Sequence, residues 1–266
     1  MTTINSSLNP RVEHGWQTGL KNLLWNEMNV RWAGRRWIGS ALTWLAILNG
    51  FVLLVAFADS QDPNYTALKT MLEAVDVFAN IGIIAASIGI VVGTQGAIIR
   101  EKQLGTAAWV LSKPASRESF ILAKWITYSF SAVVLSLLFP GVVFLIQSQL
   151  LWNQMPPLIP FLEGWLVMVV QVQFYLALTL LLGTIFNARG PVTGIALGFL
   201  FGGMILADFL PDWVTFIFPW PLKDVASGLA LSKALPAGWP IPVIASLLWT
   251  VIFISVALWR FKREEF

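Results

Sequence analysis

Apolar residues run along this chain in six long blocks, at positions 38–57, 77–99, 125–145, 165–186, 192–210 and 241–259. Each is close to the roughly 20 residues that a helix needs to cross a hydrocarbon core of about 30 Å. The pattern predicts six transmembrane helices, with the fourth and fifth joined by a tight turn at Asn187, Ala188, Arg189, Gly190 and Pro191. Ahead of the first block lies a different rhythm. Trp16, Leu20, Leu24, Met28 and Trp32 recur every fourth residue, and Glu13, Gln17, Lys21, Glu27 and Arg31 fall mostly elsewhere around the wheel. This is an amphipathic helix rather than a spanning one, rich in the tryptophan and basic residues that suit a membrane interface. It serves either as simple anchoring or as a surface that a cytoplasmic partner grips. The chain thus divides into a tail at 1–37 carrying the interface helix and a membrane domain at 38–266.

Charge gives the blocks a direction. Arg11, Lys21, Arg31, Arg35, Arg36, Arg100, Lys102, Lys113, Arg117, Lys124, Arg189, Arg260, Lys262 and Arg263 fall on one side, against Lys69, Lys223 and Lys233 on the other. Because cytoplasmic loops carry the lysine and arginine excess, both termini are expected in the cytoplasm. The net charge of +3 is accounted for by those loops, so no nucleic-acid partner is expected. The first apolar block is too long for a cleaved leader and reads as a retained signal anchor. Between the fifth and sixth blocks, positions 211–242 hold Pro211, Pro219, Pro221, Pro236, Pro240 and Pro242 with Trp213, Trp220 and Trp239. Irregular backbone survives at membrane depth only when buried in protein or lining a cavity. The segment is read as two short helices dipping into the outer leaflet, with an ordinary interfacial loop as the alternative.

Composition narrows the chemistry. Of the 266 residues 57% are hydrophobic and 12% charged, so nearly the whole chain is committed to the bilayer and no separate soluble domain is expected. With no cysteine and one histidine, His14, thiolate and cysteine-metal chemistry are excluded, and no histidine stands ready to activate a serine. No Gly-Lys pair occurs, so the phosphate-cradling loop of an ATPase is absent from this chain. Asp208, Asp212 and Asp224 form either an acid or metal site at the outer face or a set of solvated loop carboxylates. Within the blocks the polar residues are neutral: Asn49, Asn80, Ser87, Thr94, Gln95, Gln171 and Gln173. Most are explained by interhelical hydrogen bonds. Asn80, Gln171 and Gln173 are the candidates for a translocation path, although Gln171 and Gln173 point to different faces. The lack of intramembrane charge disfavours a proton- or sodium-coupled carrier. Gly194, Gly198 and Gly202 on the fifth block, and Gly89 and Gly93 on the second, are spaced for close helix contact, within one chain or along a homodimer seam.

The most informative stretch joins the second and third blocks. Gly105 can end the second helix, Thr106 can cap a short new one, and Pro114 stops it; Ser116 is a plausible cap for the third helix, with Glu118 in its first turn. Glu101, Gly105, Thr106, Leu111, Pro114, Ser116, Arg117, Ala123 and Lys124 resemble, position by position, the motif of the ABC type-2 permease family. The order of interface helix, six spans and re-entrant outer helices is similar too. The resemblance implies an all-α permease, not itself an enzyme, working as two copies with two copies of a separate ABC ATPase that binds ATP and Mg. It implies a coupling helix at 105–111 whose ends Glu101 and Arg117 hold in place, export of substrate, and residence in a bacterial or archaeal cytoplasmic membrane. A membrane-embedded lipid-modifying enzyme using the outer aspartates, and a non-transporting assembly factor that recruits a cytoplasmic partner, are the competing expectations.

Overall fold

The structure, a computed structural model, describes residues 15–61, 66–105 and 115–264. Thr106, Leu111 and Pro114, three of the coupling-segment residues, lie outside the described residues, as does His14. Six helices are long and apolar enough to cross a membrane: Arg36–Asp59, Ala67–Gln103, Arg117–Trp152, Leu158–Ile185, Arg189–Phe209 and Pro240–Lys262, the first to sixth spans. No strand occurs among the described residues. The chain has the make-up of a multi-pass membrane protein.

The second and third spans, at 37 and 36 residues, overrun the apolar blocks on which they are built. At 1.5 Å per residue, each is longer than a bilayer core is thick. Their overhangs bring charged residues into the helices that the apolar blocks left out. Asp76 lies in the second span and Lys124, 2% exposed, in the third. The apolar blocks 77–99 and 125–145 themselves carry no charge, and Asp76 and Lys124 each stand one position outside, within the longer helices. Gly105, with φ of +67°, ends the second helix as expected. Ser116 caps the third, its Oγ accepting from the Ser119 N–H at 2.9 Å.

The third span is not a uniform α-helix. A π-helical stretch, Val133–Leu138, precedes Pro140, which is buried in the helix that follows. Proline lacks the N–H that an α-helical turn would use, and a π-turn is a standard accommodation of such a break.

The fourth span is the axis of the bundle. Some 72% of its most apolar stretch is buried, against 22% for the first and fifth spans. Around it stand the sixth span, the second span and a nine-residue helix, Leu222–Ala230. That short helix lies in the proline- and tryptophan-rich segment, where two short helices were expected; the other is Asp212–Thr215. Leu222, Val225, Ala226, Ser227, Gly228 and Ala230 are all buried, so the segment is packed into the bundle rather than draped over it. Its approach to the fourth span requires a glycine: a methyl at Gly164 would collide with the Ala226 carbonyl oxygen and stand 2.9 Å from the Ala230 Cβ. Two indoles fasten the neighbouring turns, with Trp220 donating to the Phe199 carbonyl at 3.1 Å and Trp249 to that of Ile217 at 3.0 Å. Asp76 bonds Ser227 on the short helix and accepts from Asn80 at 3.2 Å.

The predicted interface helix forms as Leu20–Trp32 and packs along the first turns of the third span. Trp16 precedes it, in a turn ahead of Gly19, so the helix does not include the first residue of the stripe. Leu20, Leu24, Met28 and Trp32 are half-buried and Trp16 is exposed. Glu27, expected on the polar side, shares the inward face with Leu23, Leu24 and Arg31. Trp25, 70% exposed, and Val30 point away from the bundle.

Candidate functional site

One end of the bundle concentrates the polar contacts between elements distant in sequence. Here the second span ends, the third begins, the fourth ends and the sixth ends, and segment 106–114 connects the first two of these. At the centre is Lys124. Its ammonium is held by Glu101 at the end of the second span and by Glu27 of the interface helix at 2.7 Å, and sits 4.9 Å from the centre of the Phe120 ring. A lysine so nearly enclosed is stable as a cation only when its charge is neutralised and its donors are used. The two carboxylates, with side chains 21% and 25% exposed, retain some water. Beside this triad the Arg31 guanidinium lies 4.4 Å from the centre of the Tyr128 ring. Burial lowers its pKa from the ordinary arginine value, while Tyr128 and Glu27 favour the charged form.

A second group of contacts gathers the chain ends. Arg117 donates to the Lys262 carbonyl at 2.9 Å and to that of Glu264. Lys102 pairs with the Glu264 carboxylate at 2.6 Å and donates to the Thr184 carbonyl at 3.0 Å, a carbonyl that also receives Arg260 at 3.3 Å. Lys262 pairs with Glu118 at 3.2 Å, and Gln103 donates to the Asn187 carbonyl at 2.9 Å. On the other flank Ser119 Oγ donates to the Trp16 carbonyl at 2.7 Å, and the Ser116 N–H to that of Thr18 at 2.9 Å. Both stems of segment 106–114 are thereby tied to the ends of the fourth and sixth spans, and the second stem also to the turn ahead of the interface helix. Glu101 and Arg117, singled out from the sequence, lie on opposite stems and do not bond each other in these contacts. Glu27, Lys102 and Glu264 were not singled out. Their partners are up to 162 positions away, from Lys102 to Glu264, and no local spacing reveals them.

The remaining sequence-predicted residues fall in three places. Gln171, 4% exposed, donates to Ser87 at 3.2 Å across the second and fourth spans. The cavity beside it is about 10 Å³, room for about one water. Gln173 is half-buried on another face, and Asn80 is committed to Asp76. Gly194 and Gly198 are exposed and Gly202 half-buried, and a methyl at any of the three would meet nothing within 4 Å. Among the described residues these three glycines have no close packing neighbour, unlike Gly203, beneath the Trp220 indole. Asp208, Asp212 and Asp224 do converge, lining a cavity of about 360 Å³ with Lys223, Trp220 and Trp239. Among the described residues no group of three or more acidic or histidine side chains is placed to hold a metal ion.

A model for a protein family described as of unknown function (DUF2705) matches residues 39–266. No curated protein matches the chain.

Proposed function

We propose that this chain, which belongs to the DUF2705 family, is the membrane-embedded permease subunit of an ABC exporter driven by a separate ATPase. The observation that carries the reading is the fastening of both stems of segment 106–114. Glu101 is tied through Lys124 to the interface helix, and Arg117 to the end of the sixth span. A soluble motor that displaces this segment would thereby act on four elements at once, which is what mechanical coupling requires. In this reading 105–111 is the coupling helix docked on the ATPase, ATP and Mg reside in that partner, and both termini face the cytoplasm of a bacterial or archaeal cell. The buried helix Leu222–Ala230 is the re-entrant element near the exit.

Co-purification in a mild detergent tests this. A nucleotide-binding subunit should accompany the wild-type chain, and ATP hydrolysis by the complex should fall at least tenfold in Glu101→Ala, Arg117→Ala. Recovery of folded permease without any ATPase, or of a complex indifferent to both substitutions, would overturn the assignment.

The working unit in this reading is a pair of permeases, with the fifth span at the seam. The support is the open face at Gly194, Gly198 and Gly202. Gly198→Leu should leave the monomer's thermal stability within about 1 kcal/mol of wild type, since the position is exposed and a Cβ there meets nothing within 4 Å among the described residues. The dimer fraction in chemical crosslinking should collapse. An unchanged dimer fraction places the seam elsewhere.

A further inference from the structure

A cavity of about 600 Å³ opens at the charge-rich end between the interface helix and the first, second, third and fifth spans. Its inner wall is the Lys124 triad of the stem network, and its three arginines take no part in that network's ion pairs. Arg36, Arg100 and Arg189 line it, all three exposed, and none has an ion-pair partner among the described residues. The Lys124, Glu27 and Glu101 triad on its inner wall carries one negative charge against the arginines' three positive ones, so the cleft is positive overall. Arg189 is positioned for this. Its guanidinium lies against Gly96, where a methyl would stand 3.0 Å from Nε and 3.2 Å from Cζ. The end of the second span there is joined to the start of the fifth by Thr193 bonding Gln95. The first and fifth spans also begin at this cleft, and neither has a side-chain cap on its first turn. Their free N–H groups favour an anion.

The geometry points to a binding site for the phosphate of an anionic phospholipid headgroup. Two observations select a lipid. Arg36 and Arg189 are the first residues of their spans and Arg100 lies three residues before the end of the second. The three therefore stand at the level where apolar helix gives way to solvated chain, which is where headgroups lie. The lip of the cleft is also apolar and uncovered: Val30, Val92 and Leu104 are 62%, 48% and 64% exposed. A soluble anion has no use for such a lip, whereas acyl chains cover it. Guanidinium groups are suited to the phosphate because their planar fork can give two parallel hydrogen bonds. This site does not depend on the partner ATPase.

The test uses the full chain, delipidated in a neutral detergent and titrated with dioleoylphosphatidylglycerol, dioleoylphosphatidylcholine or inorganic phosphate. Bound lipid is counted by native mass spectrometry and the unfolding midpoint is followed in parallel. Phosphatidylglycerol should bind and raise the midpoint where phosphatidylcholine does not. Its affinity should fall about fivefold for each of Arg36→Gln, Arg100→Gln and Arg189→Gln, and roughly a hundredfold for the three together. Arg263→Gln, at the same end but outside the cleft, should change affinity less than twofold. Because single variants of exposed arginines leave packing intact, they keep the test decisive if the triple variant proves unstable. Equal binding of both lipids, or a triple variant with wild-type affinity, overturns the site. Stabilisation by inorganic phosphate to the level given by phosphatidylglycerol overturns the lipid assignment in favour of a soluble phosphate.

Discussion

Replacing Glu27 and Glu101 together by glutamine should destabilise the protein by about 3–5 kcal/mol, whereas either replacement alone should cost about 1 kcal/mol. The asymmetry follows from the geometry around Lys124. Its ammonium is 2% exposed and touches both carboxylates. One carboxylate is enough to neutralise it, and the loss of the other removes a favourable contact from a group that keeps some access to water. When both are gone, a cation remains in an enclosed site with no counter-charge, and it bears the full desolvation penalty. The effects are therefore far from additive, as expected for groups sharing one partner. Lys124→Met in the doubly substituted background should recover most of the loss, because it removes the stranded charge and keeps an unbranched apolar stem beside Phe120. Unfolding midpoints of the four variants in one detergent check the scheme. Additive single effects would mean that solvent reaches the site.

The second large effect is expected at Gly164. Changing it to alanine should cost about 2–3 kcal/mol, near the upper end of what overpacking usually costs. The added methyl would meet the Ala226 carbonyl oxygen and the Ala230 backbone nitrogen at 3.1 Å. These are main-chain atoms of a short helix held between the second and fourth spans, so the helix must shift as a body. At Gly82 the obstacle is instead the terminal methyl of Met168 at 2.6 Å, together with Leu48 at 3.3 Å. Met168 has three rotatable bonds with which to yield, and Gly82→Ala should cost less than half as much. Comparison of the two midpoints separates a backbone collision from a side-chain one. Gly164→Ala should also loosen Ser227 from Asp76, visible as faster hydrogen exchange across Leu222–Ala230.

The spans were legible because each is a long apolar block, and length and hydropathy alone determine them. Their ends were not. Asp76 and Lys124 are charged, and a reading guided by hydropathy stops just short of each. Both charges find partners: Ser227 of the short helix and Asn80 one turn along the same helix for Asp76, and Glu27 and Glu101 from other elements for Lys124. Glu27 escaped notice for a related reason. A wheel that assigns carboxylates to the wet face cannot anticipate a buried ammonium on a helix 97 positions away. Segment 106–114 is marked in the sequence by Pro114 and by the flanking Gly105 and Ser116. Ser116 and Gly105 act as that punctuation implies, because caps and left-handed turns are local properties of the chain. The cleft of Arg36, Arg100 and Arg189 was visible only as an excess of positive charge. Three arginines from three spans become a site through the folding of those spans, and no spacing in the sequence encodes it.

The contacts of Arg117 have a consequence for the order of events during synthesis. Its neighbour Ser116 bonds the Trp16 and Thr18 carbonyls, which leave the ribosome well before it. Its own partners at Lys262 and Glu264 come about 145 residues later, as the last span emerges. At elongation rates of about 5–20 residues per second that is a delay on the order of ten seconds. During this interval the bonds from Lys102 and Arg117 to Glu264 cannot exist. The stems of segment 106–114 acquire their final fastening only when the sixth span is in place. A nascent chain that has not yet added residues 262–264 thus lacks these ties at both stems, and the emergence of the sixth span's end supplies them together.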